Sequence, residues 1–406
     1  MVGETPVVYV MAGEMLKDSG LQASQFLAPA LQRRRRGQAV GVIAVLPLLS
    51  FLRDRLTRRG AFRAIQTLCS DEGIGLFWVT APLTLGRPLS FLLHRPWLGL
   101  AAFLLERQVT AALQEHKGAA MIFHCRSYLA MALALRLKRR IRRTVHACLS
   151  FDMRSSLPME FPLAAPVIGR LAYGAAMEWE MSLVAQADAA FLPLHVYREH
   201  FLATTGLQIH YAPIAGFARE PAFTVDLDRR WQQRKLGFAG TFAAWNDRRV
   251  LEQILEALPS MRASLAMASG AGVPGVEAKC YRYDEMPAYY DELLALIIPG
   301  RSDLGNYFVR AKMRENFFST KASEALSRGV PLIVSSALEE LASFVRANDC
   351  GLVYDPGAKT FTFPADVNCD NRALWERLTR NALRVGESFT PEAVNDCYEA
   401  VWRATL

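Results

Sequence analysis

The chain has 406 residues, 51% of them hydrophobic and 21% charged, with a formal net charge of +8. At about 100–200 residues per domain, that length implies two or three domains, and the apolar content excludes a disordered chain. Seven scattered cysteines without a C-x-x-C pair exclude a disulfide framework and a structural zinc site, and fit a reducing compartment.

In chain order, Val7–Met11 is a short apolar run that ends in Ala-Gly. It reads as a first strand rather than a signal peptide, since no basic n-region precedes it. Ser19–Arg36 places Leu21, Phe26, Leu27, Ala30 and Leu31 at helical spacing and closes on four arginines, which suit the C-terminal end of a helix dipole. Val40–Leu46 is a second strand, Leu48–Leu68 a basic helix with Phe51, Leu52, Leu56, Phe62 and Ile65 on its apolar side, and Gly75–Val79 a third strand. The most apolar long stretch, Leu83–Leu105, contains Arg87, Pro88, His94, Arg95 and Pro96. These argue against a membrane span of about 20 uncharged residues, so the stretch is expected on a bilayer surface or in a core. Met121–Phe123 is a buried strand that ends at His124, and Tyr128–Arg143 is a helix. Thr144–Ser150, Ala190–Pro193 and Ile209–Pro213 are further strands.

Gly216–Arg234 is polar and aperiodic, and reads as a linker. The alternation then restarts. Strands are expected at Leu236–Ala239, Ser264–Ala268, Ala295–Pro299, Pro331–Ser335 and Gly351–Tyr354. Helices are expected at Arg248–Leu258, Met286–Leu293, Ser319–Arg328 and Leu338–Asn348. Alternating strand and helix units imply parallel sheets covered by helices. Two such runs predict an α/β chain of two Rossmann-like, doubly wound domains facing a cleft, divided near residues 215 and 216, with ligands beyond the C-terminal strand ends.

The charge follows that division. Residues 1–219 carry 25 Lys and Arg against 14 Asp and Glu, and residues 220–406 carry 22 against 25. A basic first half implies an anionic partner on that side. The arginine-rich stretches Arg33–Arg36, Arg53–Arg63 and Lys138–Arg143 read as solvated faces. With few interleaved aromatics and no nucleic-acid motif, nucleic acid is excluded as the partner. Anionic lipid headgroups are the other use, at about 1 kcal/mol per basic residue, and Leu48–Ile65 has the basic amphipathic character for it. The chain is expected to be cytoplasmic, and peripheral on the inner face of a membrane where that surface is used. Of the histidines, His146 reads as a core residue, and His94, His116, His200 and His210 as surface residues. Asp152 and Arg154 read either as an ion pair that fixes a loop or as functional groups.

The most informative segment is Ser319–Ser335, STKASEALSRGVPLIVS. Ser319 or Thr320 suits an N-cap, and Lys321 and Glu324 share one helix face near its N-terminus. A helix N-terminus with a lysine beside it suits phosphate oxygens, and a carboxylate one turn in suits a ribose diol. An ordinary i,i+3 ion pair is the other reading. This Lys-x-x-Glu-Ala-x-x-x-Gly-x-Pro-x-Ile pattern resembles the donor-site signature of group 1 glycosyltransferases with the GT-B fold. Further segments resemble that family in order: Phe123–Leu129 (FHCRSYL), Phe151–Glu160 (FDMRSSLPME), Glu178–Pro193 (EWEMSLVAQADAAFLP), Gly237–Trp245 (GFAGTFAAW) and Asp284–Gly300 (DEMPAYYDELLALIIPG).

The resemblance implies transfer of a sugar from a nucleotide-sugar donor, most simply a UDP-sugar, to a glycan or lipid-linked acceptor, with retention as the family's usual outcome. It implies an acceptor domain over 1–215, a donor domain over 216–385 and a helix over 386–406 that crosses back to the first domain. Glu324 matches the carboxylate that holds the ribose, and Lys321 lies where the phosphates approach. Backbone near Tyr283 and Met286 would recognise the base, and the loop ending at Gly240 would admit the diphosphate and sugar. His124 matches the family's active-site histidine, orienting the donor sugar or the departing β-phosphate, with Arg126 adding charge. Asp152, Arg154 and His195 are acceptor-side candidates. No cofactor and no metal are implied, since fixed cations and dipoles can stabilise the leaving diphosphate.

Three departures bear on this. Retaining members carry two glutamates eight positions apart, whereas here Asn316 stands eight before Glu324, with Glu315 adjacent. Either Glu315 shifts into place or Asn316 makes a weaker contact. Thr241 follows the loop glycine where the family often has Arg, which leaves Arg248 or Arg249 as the nearest cation, and Ser155 replaces a loop glycine. Two rivals arise: a nucleotide-sugar epimerase of the same fold, and a catalytically weakened subunit that serves as a binding partner.

Overall fold

The computed structural model describes residues 5–13, 29–57, 60–84, 88–112, 120–220, 222–240, 242, 246–267, 273, 276–281, 283–301, 307–315, 318–364 and 368–405. The chain divides into two compact units, Met1–Ala212 with Asn395–Leu406, and Pro213–Val394.

The first unit is built on seven strands: β1 (Val7–Ala12), β2 (Val40–Pro47), β3 (Gly75–Ala81), β4 (Ala120–Arg126), β5 (His146–Asp152), β6 (Ala189–Leu192) and β7 (His210–Tyr211), in the order β3-β2-β1-β4-β5-β6-β7. Every pairing is parallel. Strands covered by helices on both faces read as unbroken apolar runs, as VVYVMA and VGVIAVLP do. The order reverses between β1 and β4, which is the crevice where such sheets take ligands.

The second unit repeats the pattern. β8 (Lys235–Gly240), β9 (Arg262–Met267), β10 (Glu277–Lys279), β11 (Ala295–Ile298), β12 (Leu332–Ser335), β13 (Gly351–Asp355) and β14 (Thr360–Phe363) run in the order β10-β9-β8-β11-β12-β13-β14. Only the β13–β14 pair is antiparallel among these described strands. Phe238, Leu251, Ile254, Ile297 and Trp375 meet in its core.

Several expectations are corrected. The segment read as one helix, Leu48–Leu68, is two, Leu48–Leu56 and Ala61–Asp71, with Gly60 in the left-handed region at φ 71° before the second. Asp54 is buried and accepts from the Phe62 amide at 3.1 Å, while Leu52 and Leu56, expected on the packed side, are exposed. The Leu83–Leu105 stretch supplies most of a 25-residue helix, Pro88–Ala112. The presumed linker Gly216–Arg234 is packed into the second unit: it contains the helix Leu227–Gln233, and Arg230 is buried, donating to the carbonyls of Asp291, Arg328 and Gly329.

The run Arg33–Arg36 is only in part the expected solvated face: Arg35 and Arg36 are exposed, whereas Arg33 is not. Arg33 is buried against Glu399 at 2.8 Å and over the Trp402 ring, and Arg36 pairs with Asp396 at 2.8 Å. His94 is buried, its Nδ1 close to the Phe91 carbonyl and its ring against Trp179, and burial holds its pKa below the ordinary value. His146 is exposed, because it is the first residue of β5 and precedes the covered part of the strand. His116 lies outside the described residues.

Candidate functional site

In the second unit the strand order reverses between β8 and β11, and β8 ends at Gly240. Gly240 has φ +130°, a conformation that glycine alone adopts at little cost, and a Cβ there would meet nothing within 4 Å among the described residues. Gly237 serves packing instead, since a Cβ would lie 2.3 Å from Leu293. Thr241 lies outside the described residues. Asp247 caps the helix Arg248–Glu256 by accepting from the Arg249 amide, and Arg248 is held by Glu252 at 2.8 Å.

Tyr283 and Met286, expected beside the base, lie in a turn. Tyr283 opens a short 3-10 segment, and Met286 is buried at the start of the helix Met286–Asp291. The side chain of Tyr283 is outside the described set, as are the side chain of Glu315 and the whole of Asn316.

Ser319 caps the helix Thr320–Ser327, its side chain accepting from the Lys321 amide at 3.2 Å. One turn in, Glu324 is fully buried and Lys321 is 23% exposed, with 3.5 Å between the ammonium and Oε2. The Tyr290 hydroxyl donates to the same carboxylate oxygen at 2.8 Å. The i,i+3 ion pair therefore forms, and it leaves the lysine as the polar head at the surface of a covered carboxylate.

In the first unit β4 carries His124 and Arg126, two residues apart and so on one face of the sheet. Register pairs His124 with Ser150 and Arg126 with Asp152. His124 is only 2% exposed. Its Nδ1 lies 2.9 Å from Ser150 Oγ, its Nε2 lies 3.9 Å from Asp152 Oδ2, and the rings of Tyr9, Tyr398 and Trp402 enclose it. Burial lowers its pKa to about 3 against the opposing pull of Asp152, with Arg154, Arg33 and Arg126 pushing the same way as burial. His124 is thus a neutral group in a closed aromatic box.

Asp152 Oδ2 meets Arg154 Nε at 2.6 Å and accepts from the Tyr398 hydroxyl at 3.0 Å. Arg154 sits in the left-handed region at φ 64°. The reading of this pair as an internal clamp is thereby met in geometry, and Asp152 ties the β5 end to the C-terminal residues. His195 is elsewhere, exposed and stacked on Tyr211 at 4.3 Å.

Sequence reasoning passed over Ser150, Tyr398 and Trp402, which hold His124; the i,i+4 aromatic pair in the last helix was the available signal. It also passed over Glu180. This carboxylate is fully buried and accepts from Ser156 Oγ at 3.0 Å and from the hydroxyls of Tyr197 and Tyr128, and burial raises its pKa to about 7.

No family model and no curated protein matches this chain by sequence. Solved structures do match it. HepE of Anabaena, in complex with UDP-glucose, superposes with a TM-score of 0.60 at 14% identity over 99% of this chain and 100% of that one. Starch synthase IV of Arabidopsis thaliana, bound to ADP and acarbose, gives 0.55 at 12% identity over 99% of both chains. Sucrose-phosphate synthase of Thermosynechococcus elongatus gives 0.54 at 14% identity over 99% of both. At these identities the likeness defines the fold: the chain has the two-sheet α/β architecture of GT-B glycosyltransferases.

Proposed function

We propose that this chain is a glycosyltransferase that takes a sugar from a nucleotide-sugar donor, held by the second unit, and passes it to a glycan or lipid-linked acceptor on the first. The observation that carries the reading is the doubled doubly wound topology with Gly240 open at the end of β8, together with fold neighbours that are themselves sugar-transferring enzymes. An open glycine at a strand-order reversal lets a diphosphate approach the backbone.

In this reading Gly240 admits the diphosphate and Lys321 meets its charge, while Glu324, fully buried behind Lys321 and bonded to Tyr290, positions the Lys321 ammonium rather than meeting the ribose expected for it. The turn at Tyr283 and Met286 faces the base. Arg126, nearer the strand end but also buried, is the charged group of the first unit assigned to the substrate. His124 lies one pleat behind it and is a positioning residue, because a neutral imidazole closed in by three rings supplies no charge to a departing phosphate. Cations and helix N-termini carry the leaving-group stabilisation, so turnover is expected to persist in a chelator. UDP as the nucleotide and retention as the outcome remain part of the proposal, with UDP-glucose in the HepE complex as the support for the former.

The test is a panel of nucleotide sugars offered to the full chain, with free nucleotide and product sugar both read out. Nucleotide release supports transfer. Sugar isomerisation without release replaces the proposal with an epimerase, and tight binding without turnover replaces it with a non-catalytic subunit.

A further inference from the structure

The helix Pro88–Ala112 has two apolar faces. One, with Phe91, His94, Leu98, Ala101, Leu105 and Val109, is buried within the first unit. The other exposes Leu89, Leu92, Leu93, Leu100, Phe103 and Leu104, with Phe103 at 59%. At about 100° per residue these six fall within an arc of about 140°, so they form one stripe opposite the buried one. Trp97 stands in the same arc at 37% exposed. At about 1.5 Å per residue the stripe runs for roughly 22 Å. A contiguous exposed apolar surface of this kind marks an interaction site rather than scattered surface leucines.

Among the described residues of this helix, the fully exposed charges are arginines. Arg95 and Arg107 are exposed on the helix, and Glu106, its only acid, is paired with Arg140 at 2.7 Å. The neighbouring helix Pro166–Ala185, which meets the first through Trp179 against Phe91 and His94, repeats the composition. There Val167, Ile168 and Leu171 are exposed, Leu171 at 82%, beside an exposed Arg170, and no acid precedes Glu178.

We propose that the first unit docks on an anionic lipid surface through the outer face of Pro88–Ala112, with the exposed start of Pro166–Ala185 beside it. Length and composition alone would let the first helix cross a membrane, but its other face is committed to the core, so it lies in the interface plane. Leucines, a phenylalanine and a tryptophan enter the acyl boundary, and Arg95, Arg107 and Arg170 meet headgroup phosphates. Charge decides against a second copy as occupant: a two-fold pairing of this face would set arginines against arginines, with no unpaired acid of the helix to answer them. The docking surface stands independently of the transferase reading. Where both hold, the acceptor is one presented at a membrane.

The test is co-sedimentation of the full chain with phosphatidylcholine vesicles and with vesicles of equal parts phosphatidylcholine and phosphatidylglycerol. The chain is expected to sediment with the anionic vesicles, and brominated lipid is expected to quench a fluorescence component that Trp97→Phe removes. Leu100→Gln with Phe103→Gln and Leu104→Gln should lower binding by at least about tenfold with unchanged circular dichroism. If that triple variant fails to fold, Leu89→Gln with Leu92→Gln carries the same expectation. Arg95→Glu with Arg107→Glu should weaken anionic-vesicle binding further. Wild-type protein that stays in the supernatant, outer-face variants that bind undiminished, or a wild-type dimer that the triple variant turns into a monomer would each overturn the proposal, the last by giving the face to a second copy.

Discussion

The two sheets share one strand order and end in opposite chemistry at the point where that order reverses. In the second unit β8 ends in a glycine at φ +130° with no described atom within 4 Å of where a side chain would stand. In the first, β4 leads to a neutral histidine closed in by Tyr9, Tyr398 and Trp402, with an Asp152–Arg154 ion pair alongside. Topology locates both crevices; the side chains decide that one ends in an uncrowded glycine among the described residues while the other is braced by the C-terminal residues.

The comparison breaks most sharply at Gly240. Gly240→Val should lower stability by about 1–3 kcal/mol through backbone strain at φ +130°, and at a temperature where the variant is still folded it should lower kcat/KM with the donor by about 100-fold or more through displacement of the bound diphosphate. Equal activity would remove the glycine from the donor site. Next, Lys321→Ala should weaken nucleotide-sugar binding by about 10- to 100-fold in calorimetry, with Lys321→Arg recovering part of it. In the first unit the two residues should separate by role. Arg126→Ala should lower kcat and also cost stability, since Arg126 is itself buried, whereas His124→Asn should cost about 2 kcal/mol of stability through its lost partners with kcat little changed. If His124→Asn instead lowers kcat alone, the imidazole reaches substrate and the assignment of the two residues is reversed.

The smallest effects lie in pH. His124 binds its proton less tightly folded, at about 3 against 6.5, so its contribution is present above pH 6.5 and is lost as pH falls towards 3. Glu180 is raised to about 7 from 4.5, so its contribution is present below pH 4.5 and is lost as pH rises through 7. Between pH 4.5 and 6.5 the two slopes oppose each other. Glu180→Gln should remove the decline towards pH 7, worth roughly 3 kcal/mol at most, and leave a stability that only rises with pH across that window. Urea titrations at several pH values read this out; an unchanged profile would mean that the carboxyl is not held protonated.

Much of the fold was legible because strands buried on both faces are unbroken apolar runs, and most of those runs were placed within a residue or two. What escaped has physical causes. Glu277–Lys279 is an exposed three-residue edge strand with no apolar pattern. Pro88–Ala112 is apolar around nearly its whole circumference, so periodicity could not say which face was core. Arg33 and Arg230 look like solvent-facing charges until distant carboxylates and carbonyls are brought to them by the fold. Of the proposed donor site, local spacing picks out Gly240, Lys321 and Glu324 from the sequence, and the structure adds that Lys321 and Glu324 form an ion pair. The burial of His124 was not legible, because it depends on Tyr398 and Trp402, more than 270 residues further along the chain.

The most direct measurement is nucleotide release from UDP-, ADP- and GDP-glucose by the full chain, compared with its Lys321→Ala and Gly240→Val variants. A donor from which wild type releases nucleotide, at least about tenfold faster than either variant, is the expected result. Absence of both binding and release for every donor, or release that neither substitution alters, would contradict a glycosyltransferase whose donor site lies at the end of β8.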